Sequence, residues 1–249
     1  MTTVKNIYDF INRFAPYEEQ EAWDNSGHLI GDFRKEIKRV AMALDATKEV
    51  VDFAVDIKAD LLLTHHPVIF GSISSIKSDT AVYKLINSGI ACLCAHTNLD
   101  KAVGGINDNL AELLEIKNAS KLDDGFTVAG ELDEEMSIDD FAEYVSDKLE
   151  TAGIRYTDTD NMIKRVAVCA GAGETEFIYN ASKVADCYVT GDLKYHQMLD
   201  AQQEGICVIS AGHFETENIP FLKLKDRLEQ IFTDVEFVAA PQENPVRTV

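Results

Sequence analysis

The chain repeats itself, and a duplication obliges both copies to build the same supersecondary unit. Lys38-Arg39-Val40-Ala41 recurs as Lys164-Arg165-Val166-Ala167. At the same offset of 126, Ala46 recurs as Ala172, Ala59-Asp60 as Ala185-Asp186 and Thr64 as Thr190. These are 8 identities in a window of 29 residues, where unrelated sequences of ordinary composition would share roughly two. Further on, residues 88 to 95 (SGIACLCA) parallel residues 204 to 211 (EGICVISA) at an offset of 116, and the ten-residue difference falls in the loop after His66. Each copy continues with a histidine and a carboxylate, His96-x-x-x-Asp100 in the first and His213-x-x-x-Glu217 in the second. The repeat spans 38–100 and 164–217.

Within each copy, short apolar runs alternate with stretches of helical period, the pattern of strands joined by helical crossovers. Strands are expected near 38–45, 60–64 and 90–95, and again near 165–170, 186–190 and 206–210. Helices are expected near 47–57, 78–88, 174–183 and 194–204. The fold class is therefore α/β, two duplicated half-domains with mixed or parallel sheets covered by helices. Outside the repeats, 3–14, 103–115 and 217–231 read as helices and 125–132 as a strand. Ser137 with Asp140 opens a further helix through Glu150, a Ser-x-x-Asp start of the capping-box kind. The expected division is 1–122 for the first domain and 123–217 for the second, with helix and strand in 218–249 packing back on the first.

With 46% hydrophobic and 27% charged residues among 249, the composition is that of a globular chain with a sizeable core. No apolar run approaches the roughly 20 residues needed to cross a bilayer, and the start lacks a basic segment followed by an apolar one, so a cytoplasmic protein is expected. Five cysteines, an odd number, sit in apolar segments and read as core packing rather than a disulfide framework. Cys92-x-Cys94 lacks the second pair a zinc site would need. The formal charge of -20 disfavours nucleic acid as a partner.

Four of the six histidines lie at three predicted strand ends. In open α/β sheets ligands gather beyond the carboxyl ends of strands. His65-His66 follows one such strand; alone, the pair would read as a hydrogen-bonded surface turn. His96 with Asp100 and His213 with Glu217 follow two more, which makes a metal site the better reading. Adjacent histidines on extended backbone diverge, so His65 and His66 would each take one of two ions. Mixed imidazole and carboxylate ligation suits Zn, Fe, Mn, Co or Ni, and bridging carboxylates permit two ions roughly 3.5 to 4 Å apart. The candidate ligands are His65, His66, Asp100, His213 and Glu217, with His96 either a ligand or a hydrogen bonder that orients one. Only the first copy carries the His pair, and Gly191-Asp192 stands in its place in the second, so one composite site per subunit is expected.

Weaker candidates remain. Asp192 and His196 follow the second-copy strand that corresponds to the His65-His66 strand, and are either site residues or helix caps and surface. Trp23, Asp24 and Asn25 either line the site or, for the tryptophan, anchor packing. Gly71-Ser72-Ile73-Ser74-Ser75 reads as a flexible loop.

Trp23-Asp-Asn-Ser-Gly27, Leu61-Leu-Leu-Thr-His-His-Pro67, Ala95-His-Thr-Asn-Leu-Asp100, Thr190-Gly-Asp192 and Gly212-His-Phe-Glu-Thr-Glu217 resemble, in order and over nearly the whole chain, the Nif-three-like dinuclear-metal family, the GTP cyclohydrolase 1 type 2 homologs. The resemblance implies two interlinked α/β domains, two divalent metal ions per subunit and a toroidal homo-hexamer. It carries the metal ligands onto His65, His66, Asp100, His213 and Glu217 and the additional site histidine onto His96. No extra domain of about 100 residues separates the repeats, as in the short form of the family. His28 departs from it, standing where an apolar residue is usual.

Two functions compete. One is a metal-dependent hydrolase acting on a nucleotide or similar small molecule through a metal-activated water, with His96 and Glu217 as the catalytic proton carriers. The other is a non-catalytic metal-binding regulatory or scaffold ring protein. A purely structural oligomer with incidental histidines fits the repeated His-x-x-x-carboxylate least well.

Overall fold

A computed structural model describes residues 1 to 247. They form two compact units, Met1–Val103 with Phe221–Glu243, and Gly104–Pro220 with the residues from Asn244 on.

The first unit runs α1 (Val4–Phe14), a 3₁₀ turn (Tyr17–Glu19), β1 (Gly27–Ile30), β2 (Arg39–Ala43), α2 (Lys48–Asp56), β3 (Leu61–Thr64), α3 (Ala81–Ser88), β4 (Ala91–Cys94) and α4 (Thr97–Lys101). Its five-stranded sheet has the order β1-β4-β3-β2 with a last edge strand, Glu236–Ala239, that pairs in parallel with β2. Only β1 is antiparallel to its neighbour. The central strands are buried on both faces, which is why they read as continuous apolar runs. Ala41, Ala43, Leu62 and Cys92 meet Val50, Val51 and Ala54 of α2 and Val82 and Leu85 of α3 in one core cluster. Helix α2 begins where the Thr47 side chain accepts the Val50 N–H, and α3 where Thr80 accepts that of Tyr83, both ordinary N-caps.

The second unit contains α5 (Ile106–Leu113), β5 (Lys117–Lys121), β6 (Val128–Met136), α6 (Ile138–Leu149), β7 (Arg155–Tyr156), β8 (Ile163–Ala172), α7 (Thr175–Ser182), β9 (Cys187–Asp192), α8 (Tyr195–Gln203), β10 (Cys207–Ser210) and the start of α9 (His213–Ile231). The strand after α9 is β11 (Glu236–Ala239), the edge strand of the first sheet. The order of the second sheet is β5-β6-β8-β9-β10-β7, with β8, β9 and β10 parallel and the others antiparallel. Alternate residues serve two cores. Val166, Val168, Val189 and Ile209 join α5 and α6, while Ala167, Cys169, Tyr188 and Val208 join α7 and α8.

The boundary expected after residue 122 lies instead at Val103/Gly104. Helix α5 packs on β8, and β5 pairs with β6, so this stretch belongs to the second unit. Its strand was not foreseen because Lys117–Lys121 is polar and largely exposed, an edge strand without apolar alternation. The short β1, the two-residue β7 and the five-residue α4 were likewise too brief to show a period. Among the described residues no helix is long and apolar enough to cross a membrane.

The duplicated Lys-Arg and Asp have a common purpose. Asp60 Oδ2 accepts the backbone N–H groups of Lys38 (2.7 Å) and Arg39 (3.1 Å), and Asp186 Oδ2 accepts those of Lys164 (3.2 Å) and Arg165 (2.8 Å). Each aspartate thereby fixes the entry of the strand before it, one that its own backbone N–H also bonds at Arg39 O or Arg165 O. Burial raises the Asp186 carboxyl, but the Arg165 guanidinium and the two backbone N–H groups outweigh it and hold the pKa below the ordinary value. A carboxyl lowered on folding contributes stability that is complete above its unfolded pKa of about 3.9 and is lost as pH falls through the folded value. Asp186→Asn is expected to cost roughly 1 kcal/mol at neutral pH. The melting-temperature difference from the unsubstituted protein should close as the pH is taken below the usual aspartate range, and a difference independent of pH would refute this role.

Candidate metal centre

Strand β3 stops at Thr64, whose hydroxyl donates to His66 O at 2.8 Å, and the chain then presents His65 and His66 in succession. Because the extended backbone ends there, the two imidazoles do not diverge; their ring centroids lie 5.0 Å apart. His96 follows β4, with its ring 5.1 Å from that of His65 and 5.3 Å from that of His66. Ligand atoms of His65, His66 and His96 all lie within 4.8 Å of one another, a spacing that could hold a metal ion. Asp100, in the first turn of α4, brings Oδ1 to 3.6 Å from His65 Nε2.

What sits behind the rings is as informative as what sits between them. His65 Nδ1 bonds Ala95 O at 2.8 Å, His66 Nδ1 bonds Asp45 Oδ1 at 2.8 Å and His96 Nδ1 bonds Asp24 Oδ1 at 2.8 Å. An acceptor at Nδ1 fixes the proton there and leaves the Nε2 lone pair to serve as a ligand, the arrangement found behind metal-binding histidines. Asp24 is the most heavily engaged of these acceptors. Burial raises its carboxyl, but hydrogen bonds from His96 and the Thr97 hydroxyl, the charge of His96 and the Asn25 N–H outweigh this and hold it well below the usual carboxylate range.

The second unit has its own pair. His213 opens α9, its Nδ1 bonded to Asp192 Oδ2 at 3.0 Å and its Nε2 3.1 Å from Glu217 Oε2 one turn on. With Nδ1 donating to Asp192, Nε2 and the carboxylate are two lone-pair bearers side by side, and such a pair calls for a positive centre, a proton or a metal ion. The pocket around them requires glycine. A Cβ on Gly171 would lie 2.1 Å from Glu217 Oε1 and 3.3 Å from His213 Nε2, at a φ of +69° that side chains rarely adopt. A Cβ on Gly191 would lie 2.4 Å from Gly171 O and 2.8 Å from His213 Cα. The Gly171 N–H donates to Thr216 Oγ1 at 3.0 Å, tying the end of β8 to α9.

The donor sets fit divalent metal. Three imidazoles with a carboxylate in one unit, and an imidazole with a carboxylate in the other, have the mixed nitrogen and oxygen character suited to Zn, Fe, Mn, Co or Ni. Thiols are not among them. All five cysteines are buried and free, and burial pushes the Cys92 thiol up to about 12 and that of Cys94 well above its usual value.

The two His-x-x-x-carboxylate segments are equivalent with a one-residue slip. Ala95 N–H bonds Thr64 O as Ala211 N–H bonds Thr190 O, so His96 corresponds to Gly212, and His213 stands one residue later, inside the helix. Asp192 is the counterpart of His66 and orients His213 rather than binding as His66 would. Asp45 was not foreseen as a site residue; it sits just past β2, and only the end of that strand beside the His65-His66 strand could have signalled it. His196 is exposed on α8. His28 packs on Phe33, ring centroids 4.0 Å apart. A cavity of about 500 Å³ opens beside His66, lined by Asp45, Thr47, Val68, Ile76 and Thr80 among others.

Gly171→Ala is expected to lower the divalent-metal content of the purified protein, measured by mass spectrometry of the digested sample, while far-ultraviolet circular dichroism stays unchanged. Full metal content in that variant would show that the Gly171 gap does not serve ion binding.

The Duf34/NIF3 (NGG1p interacting factor 3) family matches residues 2–245. A GTP cyclohydrolase 1 type 2 homolog of Clostridium perfringens is 34% identical over 96% of this chain and 96% of its own. One from Methanocaldococcus jannaschii is 34% identical over 94% of this chain and 98% of its own. Among solved structures, the Staphylococcus aureus hypothetical protein SA1388 superposes with a TM-score of 0.92 at 27% identity, covering 99% of each chain. The chain belongs to the Duf34/NIF3 family.

Proposed function

We propose that this protein binds two divalent metal ions and is a metal-dependent hydrolase acting on a nucleotide or a similar small molecule. The observation that carries the reading is that His65, His66, His96 and His213 each have Nδ1 engaged by a carbonyl or carboxylate oxygen, which presents Nε2 as the ligand atom in all four. The proposed metal ligands are His65, His66, Asp100, His213 and Glu217, and the ions are Zn, Fe, Mn, Co or Ni. Bound there, two ions would supply Lewis acidity and an activated water.

The chain's own groups then have distinct tasks. His96, held at Nδ1 by the ionised Asp24 carboxylate, presents Nε2 for taking up and returning a proton. Glu217 does the same to the extent that ligation leaves an oxygen available. The cavity beside His66 falls in the size range of small-molecule sites, and the name of the Clostridium perfringens relative supports a nucleotide as substrate class. The formal charge of -20 supports a small substrate over a nucleic-acid polymer. A cytoplasmic homo-hexamer is part of this proposal, and light scattering coupled to gel filtration tests the assembly.

Metal analysis of the purified protein, followed by a screen of nucleotides and phosphoesters with that metal restored, tests the reading. His65→Ala and Glu217→Ala are expected to lose bound metal and turnover together; full activity in a metal-free variant would sink the hydrolase. Metal at stoichiometric level without turnover on any substrate would favour the regulatory ring protein. Asp24→Asn is isosteric but removes the charge behind His96 and turns one of two accepting oxygens into a donor, and should lower metal affinity or turnover by roughly 10- to 100-fold.

A further inference from the structure

We infer that Trp23 and Phe70 form a stacking shelf beside His96 for the planar heterocyclic ring of the substrate, a nucleobase or a ring of that class. This rests on the hydrolase reading of the site and names the part of the substrate that the metal ligands do not recognise. Trp23 is the chain's single tryptophan, and it does not anchor packing: it is 58% exposed, and Phe70 is 56% exposed. Two large aromatic rings held open to solvent side by side leave apolar surface in water that a ligand ring would cover.

Their placement is fixed by the same segment that fixes His96. Asp24 holds the His96 ring at Nδ1, and the next residue, Asn25, donates from Nδ2 to Ile69 O at 2.6 Å, clamping the loop that carries Phe70. Trp23, Asp24 and Asn25 therefore join the shelf to a site histidine through two short hydrogen bonds. The Trp23 and Phe70 centroids are 5.9 Å apart at an interplanar angle of 32°. The two rings contact each other and leave no room for a third between them, so a ligand ring lies across both faces. The His96 ring is steeply inclined to each, at 6.0 Å and 74° from Trp23 and at 6.3 Å and 69° from Phe70. A ring resting on the shelf would thus lie beside His96 and steeply inclined to its plane. Aromatic stacking accepts any base because every base has a π-face, so the shelf selects for a flat ring, and the edge contacts would decide which one.

The lone tryptophan makes the test direct. Guanosine 5′-monophosphate and ribose 5-phosphate share the phosphate that metal would attract and differ in the base. In the metal-loaded protein, guanosine 5′-monophosphate is expected to quench Trp23 fluorescence saturably, after correction for its own absorption, while ribose 5-phosphate leaves it unchanged. Phe70→Ala should weaken that binding by roughly tenfold, and Trp23→Ala, followed by calorimetry, at least as much, both with metal content unchanged. Equal quenching by the two ligands, no quenching by either, or unaltered affinity in both variants would overturn the inference, as would variants that change only the oligomeric state. Metal content and turnover in the same samples report separately on the hydrolase reading, so a working hydrolase without base binding refutes the shelf alone.

Discussion

Four imidazoles in this protein have one nitrogen tied down at 2.8 to 3.0 Å by an oxygen that the fold itself places. The tie determines the tautomer, the ring plane and the direction of the remaining lone pair. Each oxygen stands at or just beyond a strand end or on the segment leading into a strand: Asp45 after β2, Ala95 after β4, Asp192 at the close of β9, Asp24 ahead of β1. Parallel strands aligned in register end together, so the polar groups that must follow them gather at one edge of each sheet. The metal chemistry proposed here is therefore a consequence of sheet geometry before it is one of ligand choice.

Much of this could be read from the residues. The duplication exposed the paired α/β units, and the continuous apolar runs located the ends of the central strands to within two residues, because strands covered on both faces have little freedom in composition. His65, His66, His96, Asp100, His213 and Glu217 were all legible as candidates, since histidines at strand ends have few structural reasons to recur. What escaped has a physical basis too. Edge strand β5 carries no apolar alternation, and the assignment of α5 to the second unit depends on packing against β8, which no local pattern records. Asp45 looked like any polar residue after a strand, and Gly171 like any glycine, because a Cβ exclusion by Glu217 is set by residues far along the chain.

The two halves show how a duplication diverges into a division of labour. The Asp60 and Asp186 clasps remain matched to their backbone partners, so the scaffold is conserved between copies at the level of individual hydrogen bonds. At the strand ends it is not. Where the first copy has Asp45 and His66, the second has Gly171 and Asp192: one half presents an imidazole backed by a carboxylate, and the other empties the first position and uses the second to orient His213. The extra residue Gly212 moves that histidine from the N-cap position that His96 holds on α4 into the first turn of α9, while the i, i+4 spacing to the carboxylate is kept.

The buried cysteines carry a consequence of a different kind. Cys92 and Cys94 lie in the first unit and Cys169, Cys187 and Cys207 in the second, all buried as free thiols. Sealed from solvent, they are inert to alkylating reagents while the sheets remain closed. Their reactivity is thus a clock for opening, with each unit carrying its own hands: the order in which the two groups become labelled records which sheet comes apart first.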